Sequence, residues 1–189
     1  DLNLPAGIYS KEAWRYIHRK YQEDAIKATA GLLRYFSERH EKTSLFISHS
    51  RGAHSLALSD YVLYFDYLAE VEGEINNKST TSELLGDIIE NVQPIDTVLV
   101  ISMFLTKEEV EQLLKLRSRC GRVVVLLMPY GFRESTTKKF KSYFDVPVEV
   151  REFYRFARVL EEENIIVQIW YENTSFMEGI LDIAEKDYI

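Results

Sequence analysis

Residues 98–101 (Val-Leu-Val-Ile) and 123–128 (Val-Val-Val-Leu-Leu-Met) are apolar at every position, and 165–171 is nearly so. A strand sends successive side chains to opposite faces, so a strand apolar throughout is buried on both. That condition is met in a parallel sheet covered by helices on each side. The segments between these strands carry helical spacing. Thr106 opens one of them: Thr-Lys-Glu-Glu places Glu109 three residues on, the signature of a capping box. The spacing predicts that helix to about Cys120-Gly121, another over 149–163, a short basic helix over 135–144 and a closing helix over 176–186.

The first half follows the same grammar less clearly. Trp14, Ile17, Tyr21, Ala25, Ala28, Leu32 and Tyr35 recur at helical spacing and predict one long helix over 11–38. Residues 43–48 read as a short strand. Residues 51–59 are ambiguous, with His54, Leu56 and Leu58 allowing a strand. Residues 60–71 and 84–92 read as helices, and 79–82 supply candidate caps. The expected fold class is therefore α/β: a doubly wound, mainly parallel, Rossmann-like sheet, one domain over 1–189. In such sheets function gathers at the carboxyl ends of the strands. Those ends are 48–51, 102–105 and 128–131.

Composition removes several classes of function. Lys plus Arg is 23 against 30 Asp plus Glu, a net charge of −7. Broad phosphate neutralisation needs the opposite sign, so a nucleic-acid-binding face is not expected. Electrostatic membrane binding is disfavoured for the same reason. The single cysteine, Cys120, rules out an intramolecular disulfide framework and multi-cysteine metal sites, and fits a reducing, cytoplasmic setting. No apolar run reaches the roughly 18 residues that span a bilayer. No signal-peptide pattern opens the chain, and a start at Asp1 rather than Met suits an excised piece or processed fragment, with tethering left to segments outside it. Gly-rich phosphate loops are missing from the sequence.

Ser48-His49-Ser50-Arg51-Gly52 invites a nucleophile-elbow reading, with Ser50 as nucleophile between small neighbours. The motif resembles that of the α/β-hydrolases; a serine hydroxyl needs a base, and in that fold the histidine follows the nucleophile and the acid along the chain. The histidines are His18, His40, His49 and His54, so none lies beyond position 54. A serine hydrolase using Ser50, with a base such as His54, is carried only as the alternative function.

Asp1-Leu2-Asn3-Leu4-Pro5, the hydroxyl run Ser79-Thr80-Thr81-Ser82, and Val100-Ile101-Ser102-Met103 together resemble the three metal-site loops of a von Willebrand factor A-type domain. That resemblance implies magnesium bound through Asp-Xaa-Ser-Xaa-Ser, a threonine and a third-loop aspartate. Asp1 matches the first acid and Asn3 still offers an oxygen. Pro5 offers no side-chain ligand, and Met103 stands where the aspartate is expected; a thioether is too soft for magnesium. The expectation is a degenerate site: no resident cofactor, Asp1 and Asn3 as the remaining ligand candidates, and Asp1, Asn3, Ser79, Thr80, Thr81, Ser82 and Ser102 as a binding rim.

The run from Asp96 to Pro129, continued by Ala157 to Trp170, is similar to a prokaryotic family of unknown function with a von Willebrand factor A-like domain. Its members commonly sit beside MoxR-type AAA+ ATPases. The resemblance implies a non-enzymatic interaction or assembly role with such an ATPase as partner. Other features are read plainly. Arg133, Lys138, Lys139 and Lys141 form a solvated basic face, and Glu161–Glu163 a solvated helix end. Trp14, Tyr16 and Tyr21 are read as core, with a partner-binding strip as the alternative.

Overall fold

The computed structural model describes residues 1–3, 12–73, 81–130 and 152–171, with side chains of the first helix described from His18 onward. The elements are α1 (Glu12–Glu38), β1 (Leu45–His49), β2 (Gly52–Leu56), α2 (Tyr61–Glu70), α3 (Thr81–Asn91), β3 (Thr97–Ser102), α4 (Lys107–Arg117), β4 (Arg122–Leu127), α5 (Phe153–Glu162) and β5 (Ile166–Ile169). The helices expected over 135–144 and 176–186 lie outside the described residues.

β3, β4 and β5 form a parallel sheet in that order, with Thr97–Ser102 in register with Arg122–Leu127. Alternation along β4 sorts its side chains into two cores. Leu126 and Met128 join Tyr21, Ala25 and Ala28 of α1 on one face. Val123, Val125 and Leu127 join Leu113 and Leu116 of α4 and Phe153, Phe156 and Leu160 of α5 on the other. The molecule is α/β with helices on both faces of its parallel sheet, as the unbroken apolar strands require.

The expectation of one mainly parallel sheet needs correction. β1 pairs with β2 as an antiparallel hairpin, Leu45 opposite Leu56 and His49 opposite Gly52, and this pair forms a separate sheet. The ambiguous 51–59 stretch is thus a strand over Gly52–Leu56, with Ala53, His54 and Ser55 exposed. The turn relies on Gly52, whose φ of 105° strains any residue bearing a Cβ.

The capping box forms as read. Thr106 Oγ1 accepts from the Glu109 N–H at 3.2 Å, and Glu109 Oε2 accepts from the Thr106 N–H at 2.6 Å. Glu109 is buried, yet its charge meets backbone N–H groups and the positive end of α4. Tyr21 is fully buried, so its place in the aromatic stripe is core rather than a partner strip; the side chains of Trp14 and Tyr16 lie outside the described residues. Replacing Thr106 by Ala should lower stability by about 1 kcal/mol. A urea titration checks it: the midpoint falls and the slope is unchanged.

Candidate functional site

Residues 1–3 lie at the carboxyl ends of the strands and bridge the two sheets. The Leu2 N–H donates to the Ser48 carbonyl at 2.9 Å, and the Asp1 nitrogen donates to the Ile101 carbonyl at 2.8 Å. One short stretch of backbone therefore bonds β1 on one side and β3 on the other. Leu2 and Asn3 are buried, and Tyr21 from α1 donates its hydroxyl to the Asp1 carbonyl. At the neighbouring strand end the Met128 N–H donates to the Ser102 carbonyl at 2.8 Å, so 48–51, 102–105 and 128–130 do converge on one rim.

The rim's polar groups bond to one another. Asp1 Oδ1 accepts from the Asn3 N–H at 3.0 Å. Asn3 Nδ2 donates to Ser48 Oγ at 3.0 Å within the protein interior. Ser102 Oγ donates to the Phe104 carbonyl at 2.7 Å, turned back on its own loop. Thr81 is buried and lines the same cavity as Asp1. Ser82 points elsewhere: its hydroxyl donates to Glu108 Oε1 at 2.9 Å, and its carbonyl accepts from Gln112 Nε2 at 3.0 Å. Of the hydroxyl run, Thr81 is thus the described member that lines Asp1's cavity, and Ser82 bonds to α4; Ser79 and Thr80 lie outside the described residues.

These donors do not fit a magnesium ion. Octahedral magnesium takes hard oxygens, usually including one or two carboxylates. Asp1 supplies one carboxylate, one of whose oxygens already holds the Asn3 N–H. Met103, at the expected third-loop acid, is fully buried among Tyr21, Phe104, Met128 and Tyr130. Its thioether contributes packing to the core, and no carboxylate enters from that loop. Among the described residues no group of three or more His, Cys, Asp or Glu side chains is placed to hold a metal.

Ser50 and Arg51 form the turn between β1 and β2. A nucleophile elbow passes from strand to helix, whereas this chain reverses into an antiparallel strand, so the elbow geometry is absent. The neighbouring His49 is buried instead. Its Nδ1 accepts from the Arg51 N–H at 3.3 Å, its Nε2 lies 2.9 Å from the Tyr67 hydroxyl, and His54 stacks on it with ring centroids 4.8 Å apart. Accepting at Nδ1 places the proton on Nε2, which donates to Tyr67.

Several rim residues give no sequence signal of a site. His18 and Gln22 of α1 approach the Leu2 carbonyl, with Gln22 Nε2 3.0 Å from His18 Nε2. Gly73 lies so close that a Cβ there would overlap the Leu2 carbonyl and Gln22 Nε2. Just before it, the Glu72 carbonyl accepts from the Ser50 N–H at 2.9 Å. The glycine at 73 was the one available hint, since a loop glycine often marks close backbone approach.

Comparison with known proteins finds no matching family model, no matching curated protein and no matching solved structure.

Gly73→Ala should displace residues 1–3 and cost about 2 kcal/mol or more; chemical denaturation measures the loss, and a neutral result would refute the close packing. Burial lowers the His18 pKa, partly offset by the Leu2 carbonyl; burial, then His54 and Arg51, lower that of His49. Each imidazole thus binds its proton more weakly folded than unfolded. Stability is complete above the ordinary value of about 6.5 and falls as pH drops below it. The urea midpoint should be lower at about pH 5.5 than at about pH 7.5, and a His18→Gln, His49→Gln double variant should flatten that slope.

Proposed function

We propose that this chain is a von Willebrand factor A-like module that binds another protein through the rim around Asp1, with no reaction of its own. The proposed partner class is a MoxR-type AAA+ ATPase, met in the cytoplasm. The observation that carries this reading is the internal bonding of the rim's polar groups. Asp1, Asn3, Ser48 and Ser102 are committed to bonds within the fold, and the third-loop position is a buried methionine. Such groups fix the rim's backbone in place; they do not present a metal or an activated nucleophile to a substrate. Ser50, Arg51 and Glu72 stand exposed at the edge of this rim and offer polar contacts of both signs. Among the described residues no helix is long and apolar enough to cross a membrane.

The test is biolayer interferometry against a purified, nucleotide-free MoxR-type ATPase. Binding should persist in EDTA, because the rim needs no cation. Arg51→Glu should weaken it about tenfold, roughly 1.4 kcal/mol, with the fold unchanged by circular dichroism. Absence of binding, or binding that requires magnesium at this chain, would overturn the reading.

A further inference from the structure

α2 is apolar or aromatic at every position except Asp66 and Glu70. A helix of that composition is ordinarily buried on all sides. Here only Tyr64 and Leu68, one turn apart, are buried. Tyr64 pins the helix: its hydroxyl donates to the Thr43 carbonyl at 2.9 Å and accepts from the Leu58 N–H at 2.8 Å. The opposite side is open. Val62 and Leu63 are 46% and 48% exposed. Ala69 is exposed too, and Phe65 is half-buried, braced edge-to-face by Tyr61. Val62, Phe65 and Ala69 fall at i, i+3 and i+7, so they form one apolar stripe along the helix. Asp66 and Glu70, one turn apart and both exposed, run beside it, with Leu63 on their far side.

The charge of this face is one-sided. From Gly52 to Gly73 the chain has Asp60, Asp66, Glu70 and Glu72 but no Lys or Arg. Asp60 is used within the helix, its Oδ1 accepting from the Val62 N–H at 2.9 Å. The carboxyl end of a helix favours cations, yet the last turn of α2 holds Glu70 and no basic residue. Of the nearby cations, Arg34 is held by Glu38 at 2.8 Å. Arg51 acts on Tyr67, on the flank turned away from the stripe. Among the described residues no ion pair reaches Asp66 or Glu70. We infer that this face of α2 is a docking site for a basic amphipathic helix of a partner protein. Its apolar side would cover Val62, Phe65 and Ala69, and its Lys or Arg would meet Asp66 and Glu70. Charge selects this occupant. A second copy of this chain would set the same carboxylates against themselves, with no cation to answer them. An anionic membrane surface is repelled by the same groups. A wholly apolar helix would desolvate Asp66 and Glu70 without a partner. None of the rim residues around Asp1 belongs to this face, so the inference goes beyond the proposed binding there.

The test titrates the full chain with the peptide Leu-Lys-Lys-Leu-Leu-Lys-Leu-Leu-Lys-Lys-Leu-Leu-Lys-Leu, and with its counterpart bearing Glu for every Lys, by calorimetry and amide NMR. No ATPase is present, so failure here is separate from failure at the rim. The Lys peptide should bind with a Kd on the order of 10 µM and shift the amides of Tyr61–Glu70, and the Glu peptide should not bind. Val62→Ser with Leu63→Ser should weaken binding about tenfold, and Asp66→Asn with Glu70→Gln about fivefold, each with an unchanged circular dichroism spectrum. Shifts centred away from α2, or unchanged affinity in the Asp66→Asn, Glu70→Gln chain, would overturn the inference. So would movement of the same amides with protein concentration alone, which would mark a second copy, or with phosphatidylglycerol vesicles, which would mark a membrane face.

Discussion

The architecture depends on two backbone hydrogen bonds made in opposite directions by adjacent residues. Leu2 bonds β1 and Asp1 bonds β3, and at the described end of the molecule these bonds tie the hairpin to the parallel sheet. Everything around them serves that placement. Leu2 is buried in the core formed with α1 and α2, Tyr21 holds the Asp1 carbonyl, and Gly73 allows the 71–73 segment to pass against Leu2. Loss of the small residue at 73 or of the Tyr21 hydroxyl acts on the same joint from different sides.

The joint also explains why the rim is chemically quiet. A carboxylate, a carboxamide and two serine hydroxyls meet there, a set that on paper resembles a cation site. They bond within the fold, holding residues 1–3 to Ser48 and closing the loop after β3. Buried polar groups must find partners or bear a desolvation penalty, and here they find one another. Met103, beside them, contributes apolar packing to the core. The proposed role in protein binding rests on this internal bonding of the polar groups.

How much was legible in the sequence differs between the halves. The strands at Val98–Ile101 and Val123–Leu127 and the capping box at Thr106 could be read directly, because strong local patterns and their tertiary environment agree. β1 was legible as a strand but its pairing was not: Leu45–His49 carries no mark of direction, and Ser48-His49-Ser50-Arg51-Gly52 serves a strand-to-helix elbow on paper as well as a hairpin turn. The positive φ of Gly52 and the pairing of His49 with it decided for the hairpin. Within the rim, Asp1, Asn3 and Ser102 were anticipated. His18, Gln22 and Gly73 were not, since they come from distant elements and meet only at the Leu2 carbonyl.

The sequence by itself determined the α/β class and the helices among the described residues, because periodicity and residue chemistry are local properties that survive any arrangement. Only the tertiary structure decided that, among the described residues, the strands fall into two sheets, that Thr81 rather than Ser82 shares the cavity with Asp1, and that the polar groups of residues 1–3 bond within the fold. Those outcomes turn on which edges and side chains come within hydrogen-bonding distance across about 45 and 100 residues of chain, and such long-range pairings leave no local trace in sequence.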